Sequence, residues 1–152
     1  MYLALCLAAI LFATHAPKGQ CRVASAAALA LLGNWLVCRL PYTGPGFAQT
    51  HYLELWTVAD LGFGLTAIAL GFRHWWGWAL LSFAIAQQLC HLTHMALGAG
   101  AYLDALDGLL RAQIAVFILI GGKGVADRLY RAVDRGWHVL RASDPAFQKH
   151  RP

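Results

Sequence analysis

Four long apolar segments alternate with short polar ones along the chain. They cover residues 23–40, 54–72, 75–97 and 103–120. A helix rises about 1.5 Å per residue, so roughly 20 apolar residues cross the hydrocarbon core of a bilayer. Each segment is close to that length, and the pattern therefore predicts four membrane-spanning helices.

A fifth apolar segment, residues 1–16, is shorter. It has no Lys or Arg at its start and no A-x-A cleavage site, and Pro17 follows it, which is unlike a signal peptide. We expect it to be a retained first span that is short or tilted. The predicted fold is an all-α integral membrane helical bundle with five transmembrane helices, or four if the first segment lies flat on the membrane.

The links between the segments are short and rich in proline and glycine. Residues 41–46 read Pro-Tyr-Thr-Gly-Pro-Gly, Arg73-His74 is a minimal turn, and residues 98–100 read Gly-Ala-Gly. Because proline lacks an N–H, we expect the second span to end at Pro41. Links this short predict antiparallel packing of successive helices.

After Gly121-Gly122 the pattern changes to an amphipathic one. Apolar residues recur at helical spacing, and arginines lie between them. We expect a C-terminal helix on the cytoplasmic leaflet, where its bases contact anionic lipid. The sequence thus divides into a transmembrane bundle, 1–122, and a basic amphipathic cytoplasmic tail, 123–152. The apolar positions are Val125, Leu129, Val133, Trp137 and Leu140, and the bases are Arg128, Arg131 and Arg135.

Composition and charge support this topology. Hydrophobic residues make up 59% of the chain and charged ones 12%, whereas soluble domains carry about 25% charged residues. Lys18, Arg22, Arg73 and the basic tail fall on one side of the five-span arrangement, so the positive-inside rule predicts an outside N-terminus and a cytoplasmic C-terminus. We therefore assign the net charge of +5 to the cytoplasmic face of the membrane rather than to nucleic acid.

Polar residues are gathered in the outer halves of four predicted spans. A charge near the bilayer centre costs about 2.5–3.5 kcal/mol on insertion scales, so these side chains should point into the bundle and pair there. Two interpretations remain open, a network that fixes the packing of the helices and a site with a function. The predicted polar cluster is Asn34, Arg39, Asp60, Gln87, His91, His94, Asp104, Asp107 and Arg111.

Within this cluster, His91, His94 and Asp60 are candidate metal ligands, because imidazole and carboxylate groups bind metal ions. Their spacing matches no fixed metal-binding motif. The chain also contains no GxGxxG, P-loop, GxSxG or HExxH sequence. We therefore expect no cofactor and no catalytic residues, and we keep a metal site as an alternative.

The middle of the chain carries a resemblance in layout. Residues 34–39, the span around Asp60, residues 88–91 and residues 102–113 together resemble small multi-pass membrane proteins of tailed bacteriophages and their bacterial hosts, including holin-like proteins. The resemblance implies a non-enzymatic protein that forms homo-oligomers and permeabilises the inner membrane. Two alternatives are an accessory subunit or binding module of a larger membrane complex, and a small intramembrane metal- or cofactor-binding protein.

Overall fold

The computed structural model describes residues 2–43, 46, 51–97 and 99–143. Every regular element in these residues is an α-helix, which confirms the all-α prediction, and each helix contains most of one predicted segment. Gly44, Pro45 and Gly98 of the predicted turns and residues 144–152 of the predicted tail lie outside the described residues. The helices are α1 (Tyr2–Thr14), α2 (Cys21–Thr43), α3 (Tyr52–Gly71), α4 (Trp75–Leu97) and α5 (Ala99–Ser143).

The last helix differs most from the prediction. The boundary expected between residues 122 and 123 lies inside α5, which runs without interruption through Gly121-Gly122. Glycine at 121 and 124 permits close packing instead of ending the helix: a Cβ at Gly121 would collide with the carbonyl oxygen of Phe12 in α1, and one at Gly124 with that of His15. Residues 126–135 are all exposed, so this part of α5 extends beyond the bundle.

Helix α2 continues through Pro41 to Thr43, so the expectation that it ends at Pro41 is wrong. Proline is tolerated here because it lies close to the C-terminus of the helix, where several carbonyl groups already lack an intrahelical partner. The indole Nε1 of Trp56 in α3 donates a hydrogen bond of 3.0 Å to the carbonyl oxygen of Cys38 in the same turn. This bond connects the end of α2 to the start of α3.

Two tight turns make neighbouring helices antiparallel, as predicted. Between α1 and α2, the backbone N–H of Gln20 donates to the carbonyl of Pro17 over 2.9 Å. Gly19 has a φ of 90°, the left-handed conformation that this turn needs and that glycine adopts without strain. Between α3 and α4, the N–H of His74 donates to the carbonyl of Gly71 over 2.8 Å.

The five described helices pack side by side in a closed ring. Each contacts the next along the chain, and α5 returns to pack against α1. Since successive helices are antiparallel, Arg39 and the starts of α3 and α5 lie at one end of the ring, which we call the Arg39 end. The turn that contains Lys18 lies at the other, the Lys18 end.

The interior of the ring toward the Lys18 end is apolar. Leu31, Trp76, Leu80 and Phe117 are completely buried there and come from three different helices. The indole Nε1 of Trp76 is the polar exception, and it donates to Oε1 of Gln20 over 3.2 Å. This core closes one end of the ring and leaves the polar residues at the other.

Two of the five helices are long and apolar enough to cross a membrane, Cys21–Tyr42 of α2 and Tyr52–Gly71 of α3. Helix α1 is apolar but has 13 residues. Helix α4 contains two glutamines and two histidines in its second half, and α5 contains several charged residues. The two apolar helices support an association of the chain with a membrane.

The two adjacent glycines of α5 provide a matched test of the α1–α5 contact. Replacing an exposed helical glycine with alanine normally stabilises a helix by about 0.5–1 kcal/mol. We expect Gly122→Ala to follow this rule, because nothing lies within 4 Å of the added Cβ. Gly121→Ala should instead lower the melting temperature of the detergent-solubilised protein by several degrees, since overpacking costs about 1–3 kcal/mol. Equal melting temperatures for the two variants would contradict the close contact.

Candidate functional site: a buried polar network inside the helix ring

The carboxylate of Asp60 is the centre of the polar interior. It is buried in α3, and Nδ2 of Asn34 in α2 donates to its Oδ1 over 2.7 Å. Nε2 of His91 in α4 lies 2.9 Å from its Oδ2, and both of these side chains are at least 96% buried. Because an ionised carboxylate only accepts hydrogen bonds, the imidazole Nε2–H donates to Asp60. One side chain thus joins three helices.

His91 extends the network to a fourth helix. Its Nδ1 lies 2.8 Å from the hydroxyl oxygen of Tyr102, which is buried near the start of α5. A hydroxyl group both donates and accepts, so this contact forms in either charge state of the ring. Tyr102 donates to Nδ1 of a neutral imidazole, whereas Nδ1–H of an imidazolium donates to Tyr102. The imidazole of His91 therefore connects α3, α4 and α5.

A second polar contact lies one helical turn from His91 on α4. Nε2 of Gln113 in α5 donates to Oε1 of Gln87 over 2.7 Å, and both residues are buried. Gln113 Oε1 has no hydrogen-bond partner among the described residues. An unsatisfied buried acceptor costs about 1–3 kcal/mol. The unpaired oxygen of Gln113 therefore offsets part of the stability that its hydrogen bond to Gln87 contributes between α4 and α5.

Aromatic side chains surround the network at the Arg39 end. The rings of Trp56 and Tyr102 stack with their centroids 6.2 Å apart, and Tyr52 packs edge-on against Trp56 at 5.3 Å. Tyr42 stacks on Trp56 from α2 at 6.4 Å. These rings shield the hydrogen bonds of the network from solvent, which strengthens them electrostatically.

A cavity of about 190 Å³ lies beside the network. Its buried lining residues include Asp60, His91 and Trp56, and Trp35 and three leucines of α5 add further apolar surface. Its exposed part includes Arg39. The buried carboxylate is therefore connected to the Arg39 end of the ring. The remaining lining residues are Tyr2, Asn34, Cys38, Tyr42, Gln87, Leu103, Leu106, Asp107 and Leu110.

The predicted cluster is thus divided between the interior and the surface. Asn34, Asp60, Gln87 and His91 lie buried on facing helices. Arg39 is exposed, and its guanidinium carbon lies over the rings of Trp35, at 5.8 Å, and Tyr42, at 5.3 Å.

The predicted residues of α5 lie outside the buried network. Asp107 and Arg111 pair with each other at 2.8 Å, with Arg111 exposed and Asp107 partly exposed at the edge of the cavity. Arg111 also donates to the hydroxyl of Tyr2 over 3.4 Å, which connects α5 to the start of α1. Asp104 is exposed. These charges lie close to the end of the ring, where a side chain can leave the bundle interior for a polar environment.

The three candidate metal ligands are only partly together. His91 contacts Asp60, whereas the ring of His94 faces Tyr102 with a centroid distance of 5.4 Å. No group of three or more His, Cys, Asp or Glu side chains placed to hold a metal ion occurs in the part of the chain that the structure describes. His91 instead uses both ring nitrogens in hydrogen bonds to side chains.

Tyr102 was missing from the predicted cluster although it is essential to the network. It follows the short turn at residues 98–100, so the antiparallel start of α5 brings it opposite the end of α4. The turn at residues 98–100 was the sequence signal that could have identified Tyr102. A polar aromatic residue just after that turn lies at the same depth in the bundle as His91 and His94. Hydropathy alone does not separate such a tyrosine from an interfacial one.

The network predicts unequal effects of its two histidines on stability. His91→Leu leaves the buried Asp60 carboxylate without the hydrogen bond from His91, and losing a hydrogen bond to a charged group costs about 1.5–3 kcal/mol. His94→Leu, the matched control, removes a ring contact with Tyr102 and should cost far less. Tyr102→Phe should cost about 1 kcal/mol, the usual contribution of one hydrogen bond. Chemical unfolding in detergent measures all three, and a His94 variant as unstable as the His91 variant would contradict the assignment.

The arrangement is chemically simple: one buried acid, its histidine partner, two hydrogen-bonded neighbours and a cavity beside them. His91 contacts a carboxylate on one side and a phenol on the other. No protein-family model matches the chain, and neither a curated protein nor a solved structure matches it.

Proposed function

We propose that the chain is a non-enzymatic multi-pass membrane protein whose helix ring spans the bacterial inner membrane and assembles through its apolar outer surface. One observation carries this proposal. The buried polar groups around Asp60 are paired within a single chain, while large apolar side chains occupy the outside of every described helix. A lipid bilayer favours this distribution, because apolar side chains are stable in contact with lipid, whereas unpaired polar groups are costly there.

The arrangement of α1 supports five spans rather than four. It packs against both α2 and α5 as a member of the ring, instead of lying across one of its ends. Its 13 residues cover about 20 Å at 1.5 Å per residue, which is less than the roughly 30 Å hydrocarbon core. Local thinning of the bilayer accommodates a short span at modest cost.

The distribution of basic residues supports a cytoplasmic Lys18 end. Lys18, from the turn between α1 and α2, lies at one groove with Arg128, Arg131 and Arg135 of α5, although more than 100 residues separate them in sequence. The positive-inside rule assigns such an end to the cytoplasm, with the N-terminus outside. Anionic lipid headgroups there contribute about 1 kcal/mol for each basic side chain near the surface.

The holin-like role follows from the surface that one protomer leaves available for contact with another. The network is closed within one protomer, so homo-oligomers form through apolar helix faces, and the lesion lies between protomers. The absence of a separate folded unit in the described part of the chain agrees with this role. Permeabilisation is thus a property of the assembly rather than of a channel through one ring.

A charge on the outer surface tests whether the ring is embedded in lipid. Leu65 lies in α3 and is 57% exposed, so Leu65→Lys should cost about 2.5–3.5 kcal/mol in a bilayer and greatly reduce the fraction recovered in washed membranes. Leu129→Lys is the matched control, because Leu129 is 63% exposed on the part of α5 beyond the bundle. Recovery of the Leu65 variant at the wild-type level, or as a soluble protein, would contradict the proposal.

Controlled expression in bacteria tests the permeabilising role. We expect the membrane potential, followed with a voltage-sensitive dye, to fall once the protein reaches a threshold concentration, because lesions require oligomers. The Leu65→Lys variant should leave the potential unchanged at equal expression. An unchanged potential at high levels of correctly inserted wild-type protein would contradict this role.

An accessory role in a larger membrane complex is the second candidate, and α5 favours it. Beyond the ring, Leu129 and Val133 are exposed on the same side of the helix as Val125. An apolar stripe on a projecting helix is a common docking surface for a partner helix. If the chain is an accessory subunit, the membrane potential stays unchanged in the depolarisation experiment, and a defined hetero-complex survives mild detergent.

A further inference from the structure

We propose that the cavity beside Asp60 binds a small organic cation, with an ammonium group at the carboxylate and an apolar body against Trp35 and Trp56. This inference concerns the interior of one protomer. It therefore stands apart from the proposed assembly through the outer surface, and either can fail without the other.

The first support is the unused hydrogen-bonding capacity of Asp60. An ionised carboxylate has about four acceptor positions, and the structure gives it two polar contacts, one from Asn34 and one from His91. The carboxylate also lines the cavity. His91 has no such capacity, because both of its nitrogens already contact Asp60 and Tyr102. A ligand in the cavity therefore meets an acceptor and a negative charge.

The second support is the apolar part of the lining. Trp35 and Trp56 present aromatic surface, and Leu106 of α5 adds an aliphatic side chain. A volume of about 190 Å³ is well above the roughly 150 Å³ of an apolar cavity known to admit a single benzene ring. The cavity thus fits a ligand with one ring or a short branched chain and one polar end.

The third support is the location of Arg39. Its guanidinium carbon already lies over the rings of Trp35 and Tyr42, at 5.8 and 5.3 Å. Positive charge over an aromatic face is attracted by the ring quadrupole, so these rings are shown to accept a cation. The apolar body of the ligand competes with the Arg39 guanidinium for the face of Trp35, while its ammonium group reaches the carboxylate deeper in the cavity.

The charges of the site favour a cation over an anion. Asp60 is the buried charged group of fixed position, and an anionic ligand beside it would add a second negative charge in a low-dielectric interior, where like charges repel strongly. A neutral ligand would bring no charge to the carboxylate. An ammonium group adds a direct charge–charge attraction to the carboxylate that a hydroxyl group lacks, so an amine is preferred to an alcohol of the same shape.

Three probes of nearly equal shape separate these possibilities: benzylammonium, benzyl alcohol and benzoate. Isothermal titration calorimetry on the full-length protein in detergent should show saturable binding of benzylammonium and much weaker binding of the other two. Asp60→Asn should weaken benzylammonium binding about tenfold or more, through the loss of a charged hydrogen bond. Arg39→Gln should strengthen it roughly two- to fivefold by removing the competing cation.

A second pair of variants keeps the proposal testable if Asp60→Asn does not fold. Leu106→Trp fills the cavity from α5 and should abolish benzylammonium binding. Leu109→Trp, on the same helix but outside the cavity lining, should leave it unchanged. Equal affinity for benzylammonium and benzyl alcohol would overturn the proposal. So would benzoate binding that Arg39→Gln abolishes, or benzylammonium binding that persists in a folded Leu106→Trp variant.

Discussion

A buried carboxylate needs hydrogen-bond donors, and the arrangement of the four helices α2 to α5 depends on how Asp60 obtains them. Asn34 reaches it from α2 and His91 from α4, and Tyr102 of α5 orients the far side of the imidazole ring. Removing any one of these partners leaves a polar atom without compensation in an interior where that is expensive. The network therefore selects one packing of the helices over others that would bury equal apolar area.

The closed ring gives its two ends different physical properties. Toward the Lys18 end, Trp76 and Phe117 fill the interior, and glycines such as Gly121 bring helix backbones into direct contact. At the Arg39 end, the side chains are larger and polar, and they enclose a cavity instead of excluding one. Rigidity at one end and an accessible acid at the other are compatible with a protomer that both assembles laterally and binds a small ligand internally.

Much of the site could be predicted because insertion energetics restrict where polar residues lie. Asp107 and Arg111 lie four residues apart, which places them on one face of a helix, where they pair. The shared depth of the polar residues placed Asp60 and His91 in one cluster, and the structure brings them into contact. Their partners could not be predicted the same way. Whether His94 or His91 faces the acid depends on the rotation of α4, and the contact with Tyr102 depends on how tightly α5 follows α4, so neither is encoded in hydropathy.

By itself, the sequence determined the all-α class of the fold, the order of the apolar helices and four of the buried polar residues, Asn34, Asp60, Gln87 and His91, because apolar periodicity and the cost of unpaired charge are local properties of a segment. Only the tertiary structure decided that the helices close into a ring and that α5 continues past Gly121. It also decided that Lys18 lies at the same groove as Arg128, Arg131 and Arg135 of α5. These features depend on contacts between segments distant in sequence. A glycine that predicts a break in isolation becomes a packing surface once another backbone lies against it.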